Sequence, residues 1–312
     1  MATVIPQSYL IVTNCTGRKR QATGGLQLSD LSAHGTASSV ATSWVRSLRS
    51  LDWRYRVSDL YAGRGFSEVL KTAKHLDASI AIVSAGLGLI SGDSKIPSYD
   101  LTISQGKNSV LPQLLETERT PVSWWSALNK ELGVVTAFEN MLRQHPTKIF
   151  LIALPSTYLA MIEHELRSLP PAMMRRLRIF TSDLGRRSMS TQLQKQAMPY
   201  DERLETTSYS GTRSDFPQRS LRHFVMQLRA ESLNVSEASD RVMQSLEHQK
   251  WRLVPDRVKK TDKEIIDCLN VHWHAYGGAS GRLLRCLRDD LGVACEQSRF
   301  RLLWKQVQEL KS

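Results

Sequence analysis

The stretch AIVSAGLGLISGDSKIPSYDLT, residues 81–102, puts three glycines (Gly86, Gly88 and Gly92) between an apolar run and the dipeptide Tyr99-Asp100. Glycine costs backbone entropy, so this cluster signals either positive φ or the close approach of a ligand. Asp100 supplies a carboxylate that can act as a base or stabilise developing positive charge. The plain alternative is a turn followed by a surface carboxylate. A second group of reactive types stands in TNCTGRKR, residues 13–20, where Asn14, Cys15 and Lys19 follow another apolar run. An amide such as Asn14 carries donors and an acceptor that suit a base edge or a sugar hydroxyl. Cys15 as a nucleophile needs a base that the sequence does not reveal, so a half-buried structural thiol is the better reading. The spacing GxxxxGK[ST] is absent, which excludes an ordinary P-loop. Asp59, Tyr61 and Arg64 in DLYAGRGF precede a helix whose first amides can attract an anion. His272 and His274 stand two apart with no third ligand nearby in sequence, so packing or surface roles outweigh zinc binding.

These residues need a frame to hold them. YLIVTN, SIAIVSA, KIFLIAL and RLRIF read as β-strands. Between them lie helical patterns: Val40, Trp44 and Leu48 share one face, and PSTYLAMIEHELRSL opens at Pro155 or Ser156. Strands alternating with helices predict an α/β fold with a mostly parallel sheet flanked by helices. Ligands in such sheets sit beyond the carboxyl ends of the strands. Asn14-Cys15-Thr16, Ser84-Ala85-Gly86, Pro155-Ser156-Thr157 and Ser182-Asp183 are therefore expected to converge on one crevice. Residues 185–220 are polar and basic, and read as an excursion, ordered or mobile. Helical patterns resume at LRHFVMQLRAES and at SEASDRVMQSLEHQ, the latter behind a Ser236 cap.

The expected domains are 1–255, carrying the α/β sheet, and 256–312, a helical unit. In the latter Thr261 and Glu264 have capping-box spacing, and three short helices joined by glycine turns suggest a helix-turn-helix. Its third helix would present Gln297, Arg299, Arg301 and Lys305 to DNA, with Phe300, Leu303, Trp304 and Val307 inward. A helical cap with a solvated basic face is the alternative.

Composition narrows the partner. The 312 residues hold 42 Lys and Arg against 30 Asp and Glu, a formal charge of +12. Such an excess attracts polyanions, nucleic acid being the commonest. No apolar run reaches the roughly 20 residues of a membrane helix and no signal-peptide pattern opens the chain. The four cysteines lack CxxC spacing, which fits a reducing cytoplasm and neither a zinc ribbon nor a disulfide framework.

Over residues 8–105 the chain resembles a bacterial and phage domain family. Its members open with a strand and a Cys-x-x-x-Lys turn (Cys15 to Lys19), then carry Asp-x-Tyr (Asp59 to Tyr61), Ser-Ala-x-x-Gly-Leu (Ser84 to Leu89) and Tyr-Asp-Leu (Tyr99 to Leu101). The family sits among nucleobase-handling proteins related to deazaguanine-modification and transglycosylase enzymes. One branch is similar to anti-phage DNA glycosylases that remove glucosylated hydroxymethylcytosine from modified phage DNA. The resemblance implies a DNA glycosylase of antiviral defence that flips a modified base out of double-stranded DNA and leaves an abasic site. In that reading Gly86 and Gly88 wall the pocket, and Tyr99 stacks on the nucleotide or bonds its phosphate. Asp100 and Asn14 are catalytic. Cys15, Ser84, Asp59 and Tyr61 line the substrate, while Lys19 and Arg64 hold flanking phosphates. Neither a metal nor a cofactor is expected. A non-catalytic DNA-binding sensor and a base-exchanging transglycosylase are the alternatives.

Overall fold

The computed structural model describes residues 8–20, 25–31, 34–134, 136–251 and 257–311. The chain divides into two compact units, the first ending at Trp251. The expected boundary at 255/256 lies outside the described residues.

The first unit is built on a five-stranded sheet. Its strands in spatial order are Gly88–Ser91, Ser79–Ser84, Tyr9–Asn14, Ile149–Ala153 and Leu177–Phe180. All neighbours are parallel except the edge strand Gly88–Ser91, which pairs antiparallel with Ser79–Ser84. Successive side chains on a strand face opposite sides, and the two cores divide accordingly. Leu10, Val12, Ile82 and Ile152 face one core with Trp44, Trp124 and Ile162. Tyr9, Ile11, Leu151 and Ala153 face the other with Val69, Phe216 and Phe224. On the first side the helices Ala37–Arg49, Pro121–Glu131 and Ser156–Arg167 pack in series; on the second, Arg64–Leu76 packs on Phe216–Arg222. The mixed α/β sheet flanked by helices is as the alternating pattern predicts.

Two local features differ from expectation, and a third decides between its alternatives. The chain does not leave the sheet at Gly86 and Gly88: residues 85–87 form a tight turn that returns it as the antiparallel edge strand, with Ser84 opposite Gly88. The polar stretch 185–220 holds several short helices, and Met189, Leu193, Met198, Tyr200, Leu204 and Phe216 are buried. Part of its charge is internal: Arg219, 1 % exposed, pairs at 2.7 Å with both Glu205 and Asp215. The cap of the helix Val235–Leu246 is Asn234, which forms a capping box with Glu237, and not Ser236.

The second unit has three helical segments, Asp262–His272, Ser280–Arg285 continuing as a wider turn to Asp290, and Gln297–Lys311. Thr261 caps the first through the expected box with Glu264. Its core joins Ile265, Leu269, Leu283, Leu287, Phe300, Leu303 and Val307. A short parallel pairing of Val258-Lys259 with Val293-Ala294, absent from the helical pattern, closes it. Among the described residues no helix is long and apolar enough to cross a membrane.

Candidate functional site

The carboxyl end of the first strand leads into a loop that is clamped to the DLYAG turn. The Arg20 N–H donates to the Leu60 carbonyl at 2.9 Å and the Ala62 N–H donates to the Arg18 carbonyl at 3.0 Å. Lys19 and Tyr61 are thereby held opposite each other as an antiparallel bridge. Leu26-Gln27 beyond the loop pairs parallel with Tyr99-Asp100, which brings that dipeptide to the same place. The family-like motifs are thus gathered by backbone hydrogen bonds at one edge of the sheet.

Inside this edge lies a closed polar cluster. The Tyr61 and Tyr99 hydroxyls are 2.6 Å apart, and the Ser84 Oγ is 2.7 Å from the Tyr99 hydroxyl. The same Oγ accepts from the N–H groups of Gly86 and Leu87. With both lone pairs engaged, Ser84 donates its proton to Tyr99. The Cys15 Sγ is 3.3 Å from the hydroxyl of Tyr158, which stands in the first turn of the helix Ser156–Arg167. Tyr61, Tyr99 and Tyr158 are buried, and desolvation raises all three phenols well above the ordinary tyrosine range. They remain neutral hydrogen-bonding groups at any physiological pH.

Two ionisable groups stand at the rim of this cluster, half-buried. The Lys19 ammonium lies 4.3 Å from the centroid of the Tyr99 ring, in cation–π contact. Burial lowers its pKa, opposed by the electrostatic pull of Cys15 and Asp100. The Asp100 Oδ2 accepts from the Asn108 amide at 2.5 Å.

The other expected site residues occupy different positions. Asn14 does not offer its amide to a ligand: its Nδ2 donates to the Cys15 carbonyl and its Oδ1 accepts from Gln218. Gly86 does not line an open wall, because a Cβ there would fall 2.8 Å from the Tyr99 ring. Gly88 has φ +73°, and a Cβ on it would meet the Asn129 amide oxygen at 2.9 Å. Both glycines admit the protein's own side chains. Tyr99 is 1 % exposed, so its ring is packed inside and offers no face for stacking. Asp59 is exposed and accepts from the Ser58 hydroxyl, whereas Tyr61 is buried. Arg64 is exposed and donates to the Ser210 carbonyl, with Asp215 at 3.6 Å. Ser182 caps a short helix, and Asp183 pairs with Arg186 and Arg187.

Sequence reasoning missed four participants: Thr102, which acts on the Tyr158 hydroxyl, together with Asn108, Tyr158 and Gln218. Gln218 comes from the polar stretch yet is 3 % exposed, bonding Thr13, Asn14 and the Ala153 carbonyl. Tyr158 alone was legible in principle, as a polar-tipped aromatic in the first turn of a helix after a strand end. Two surface hollows, of about 650 and 300 Å³, contain none of the cluster's residues; Arg203 and Met243 border the first, Phe66 and Ile80 the second.

In the second unit Gln297, Arg301 and Lys305 are exposed on the last helix, with Phe300, Leu303 and Val307 beneath. Arg299 does not project freely: its Nε donates to Asp262 at 2.7 Å and its Nη2 to the Lys260 carbonyl. Trp304 is half-buried, bonding the Gly278 carbonyl and stacking on Trp273. His272 packs near Tyr276, and no group of three or more His, Cys, Asp or Glu among the described residues is arranged to hold a metal ion. Compared with known protein families, curated proteins and solved structures, the chain has no match.

Proposed function

We propose that the protein is a DNA N-glycosylase that extrudes and excises a modified base from duplex DNA in the bacterial cytoplasm, as a defence against phage with modified genomes. Glucosylated hydroxymethylcytosine is the base its motif order suggests. The observation that carries the reading is the half-buried pair Lys19 and Asp100, set on a closed phenol cluster at the carboxyl edge of the sheet. Breaking the bond from C1′ to the base nitrogen sends the electron pair to the base and leaves positive charge on the deoxyribose. The Asp100 carboxylate stabilises that charge or deprotonates the entering water. Asn108 orients the carboxylate. The buried phenols hold the Tyr99 ring beneath Lys19 instead of stacking on the nucleotide. The charge of +12 supports the polyanionic partner, with Arg301 and Lys305 of the helical unit taking phosphate.

The test is mass spectrometry of bases released from modified and unmodified duplexes. Release of free base with an abasic site left behind is the expected outcome. A sensor that binds DNA without cutting is the second reading. It is favoured by the filling of the space beside Gly86 by the Tyr99 ring, and it would release nothing. Incorporation of a supplied free base would indicate exchange instead.

A further inference from the structure

Lys19 is the one lysine of the strand-end cluster, and its surroundings differ from those of a phosphate-holding cation. Its backbone is fixed by the clamp to Tyr61, so the side chain starts from a defined place. Among the described residues no hydrogen bond or ion pair engages the ammonium, which rests over an aromatic face. Arg18 and Arg20 on either side are exposed and can meet phosphate, leaving Lys19 turned toward the interior. Desolvation favours the neutral amine, the form that attacks, and here it outweighs the Tyr99 face and the Asp100 charge, which favour the ammonium. Its lowered pKa agrees with that geometry. Asp100 is near enough to act on it electrostatically and is itself partly open to solvent.

We propose that Lys19 is the amine nucleophile of a second step, cleavage of the DNA strand at the abasic deoxyribose, so that the protein is a glycosylase and a lyase. The inference rests on the glycosylase reading for its substrate. The abasic sugar equilibrates with an open-chain aldehyde at C1′. The Lys19 amine adds to that carbon, and the carbinolamine loses water to give a protonated imine. The imine acidifies the C2′ hydrogen, which leaves as a proton to the Asp100 carboxylate. The electron pair of that C–H bond forms the C2′–C3′ double bond, and the C3′–O bond breaks with its pair on the departing phosphate. Hydrolysis of the unsaturated imine restores the amine, with no oxidant or reductant involved.

The experiment supplies the full-length protein with a duplex carrying one pre-formed abasic site, with and without borohydride. A covalent protein–DNA adduct that maps to Lys19, and a nick on the 3′ side of the abasic site without borohydride, are expected. Lys19→Arg keeps the charge and removes the nucleophile, and should reduce trapping by about 100-fold or more at an unchanged melting temperature. Lys19→Gln serves as the second variant should the arginine disturb the Tyr99 face. Asp100→Asn should slow nicking while leaving trapping intact. Absence of a wild-type adduct, or equal trapping by both Lys19 variants, overturns the proposal. Because the abasic site is provided, the outcome does not depend on base excision. Trapping without any base release would support the lyase and sink the glycosylase reading alone.

Discussion

Asp100 and Gly86 belong to the same glycine-rich motif, yet they do different physical work. Asp100 is partly open and held by Asn108, so its charge is available to a sugar. Asp100→Asn retains size and most hydrogen bonding while deleting that charge. Base release in single turnover with saturating enzyme should fall about 100-fold or more, with DNA affinity held or slightly raised. A near wild-type rate would remove Asp100 from the chemistry. Gly86 is a packing residue: Trp44 donates to its carbonyl at 2.7 Å, and any Cβ would press on Tyr99 at 2.8 Å and Trp44 at 3.1 Å. Gly86→Val should therefore lower stability by about 1–3 kcal/mol, read by urea denaturation. Unchanged stability with loss of base release would instead mark Gly86 as the wall of a ligand pocket.

At the scale of elements, the last helix separates three cations that its sequence places on similar footing. Arg301 and Lys305 face solvent, whereas Arg299 ties the helix to Asp262 and the Lys260 carbonyl. Replacing Arg301 and Lys305 together by alanine should reduce the salt dependence of duplex binding, by about 0.9 in the log–log slope for each phosphate no longer neutralised. Arg299→Ala should leave that slope alone and lower the unfolding midpoint of the C-terminal unit. Binding titrations over a salt series, with the melting curve of each variant, distinguish the two effects. An unchanged slope in the Arg301/Lys305 variant would place DNA elsewhere.

At the scale of the folded molecule, pH enters through His223. Its ring is 5 % exposed, its Nδ1 is 2.8 Å from the Tyr200 hydroxyl, and burial lowers its pKa to about 4 from 6.5. Above pH 6.5 the imidazole is neutral in both the folded and the unfolded chain and contributes no pH dependence. As pH falls from 6.5 toward 4 the unfolded chain takes up the proton and the folded one resists it. Stability is therefore lost across that window and levels off below it, by up to about 3 kcal/mol. His223→Gln should flatten thermal stability measured between pH 4 and 6.5. A variant whose acid sensitivity matched the wild type would assign the loss to other groups.

The strands and helices of the sheet domain were legible because their signals are local. The continuous apolar, β-branched run in YLIVTN and the 3.6-residue spacing of Val40, Trp44 and Leu48 depend on neighbours a few positions away. The Thr261–Glu264 box was legible for the same reason. Loop pairings bring Lys19 and Tyr99 to the edge of the sheet, whereas the arrival of Cys15 and Ser84 at neighbouring strand ends followed from sequence, since parallel strands deliver their carboxyl ends to one edge. Which way those side chains point did not. Asn14 is engaged by Gln218 from 204 residues away, and Tyr158 reaches Cys15 across 143. Partners at such separations leave no periodic trace. The same holds for Arg219, which pairs with Glu205 as well as with its helical neighbour Asp215. Sequence determined the layers and the edge at which reactive residues gather. Only tertiary packing decided which of them are buried against one another and which, Lys19 and Asp100, are left at the rim, because burial and pairing are properties of distant contacts.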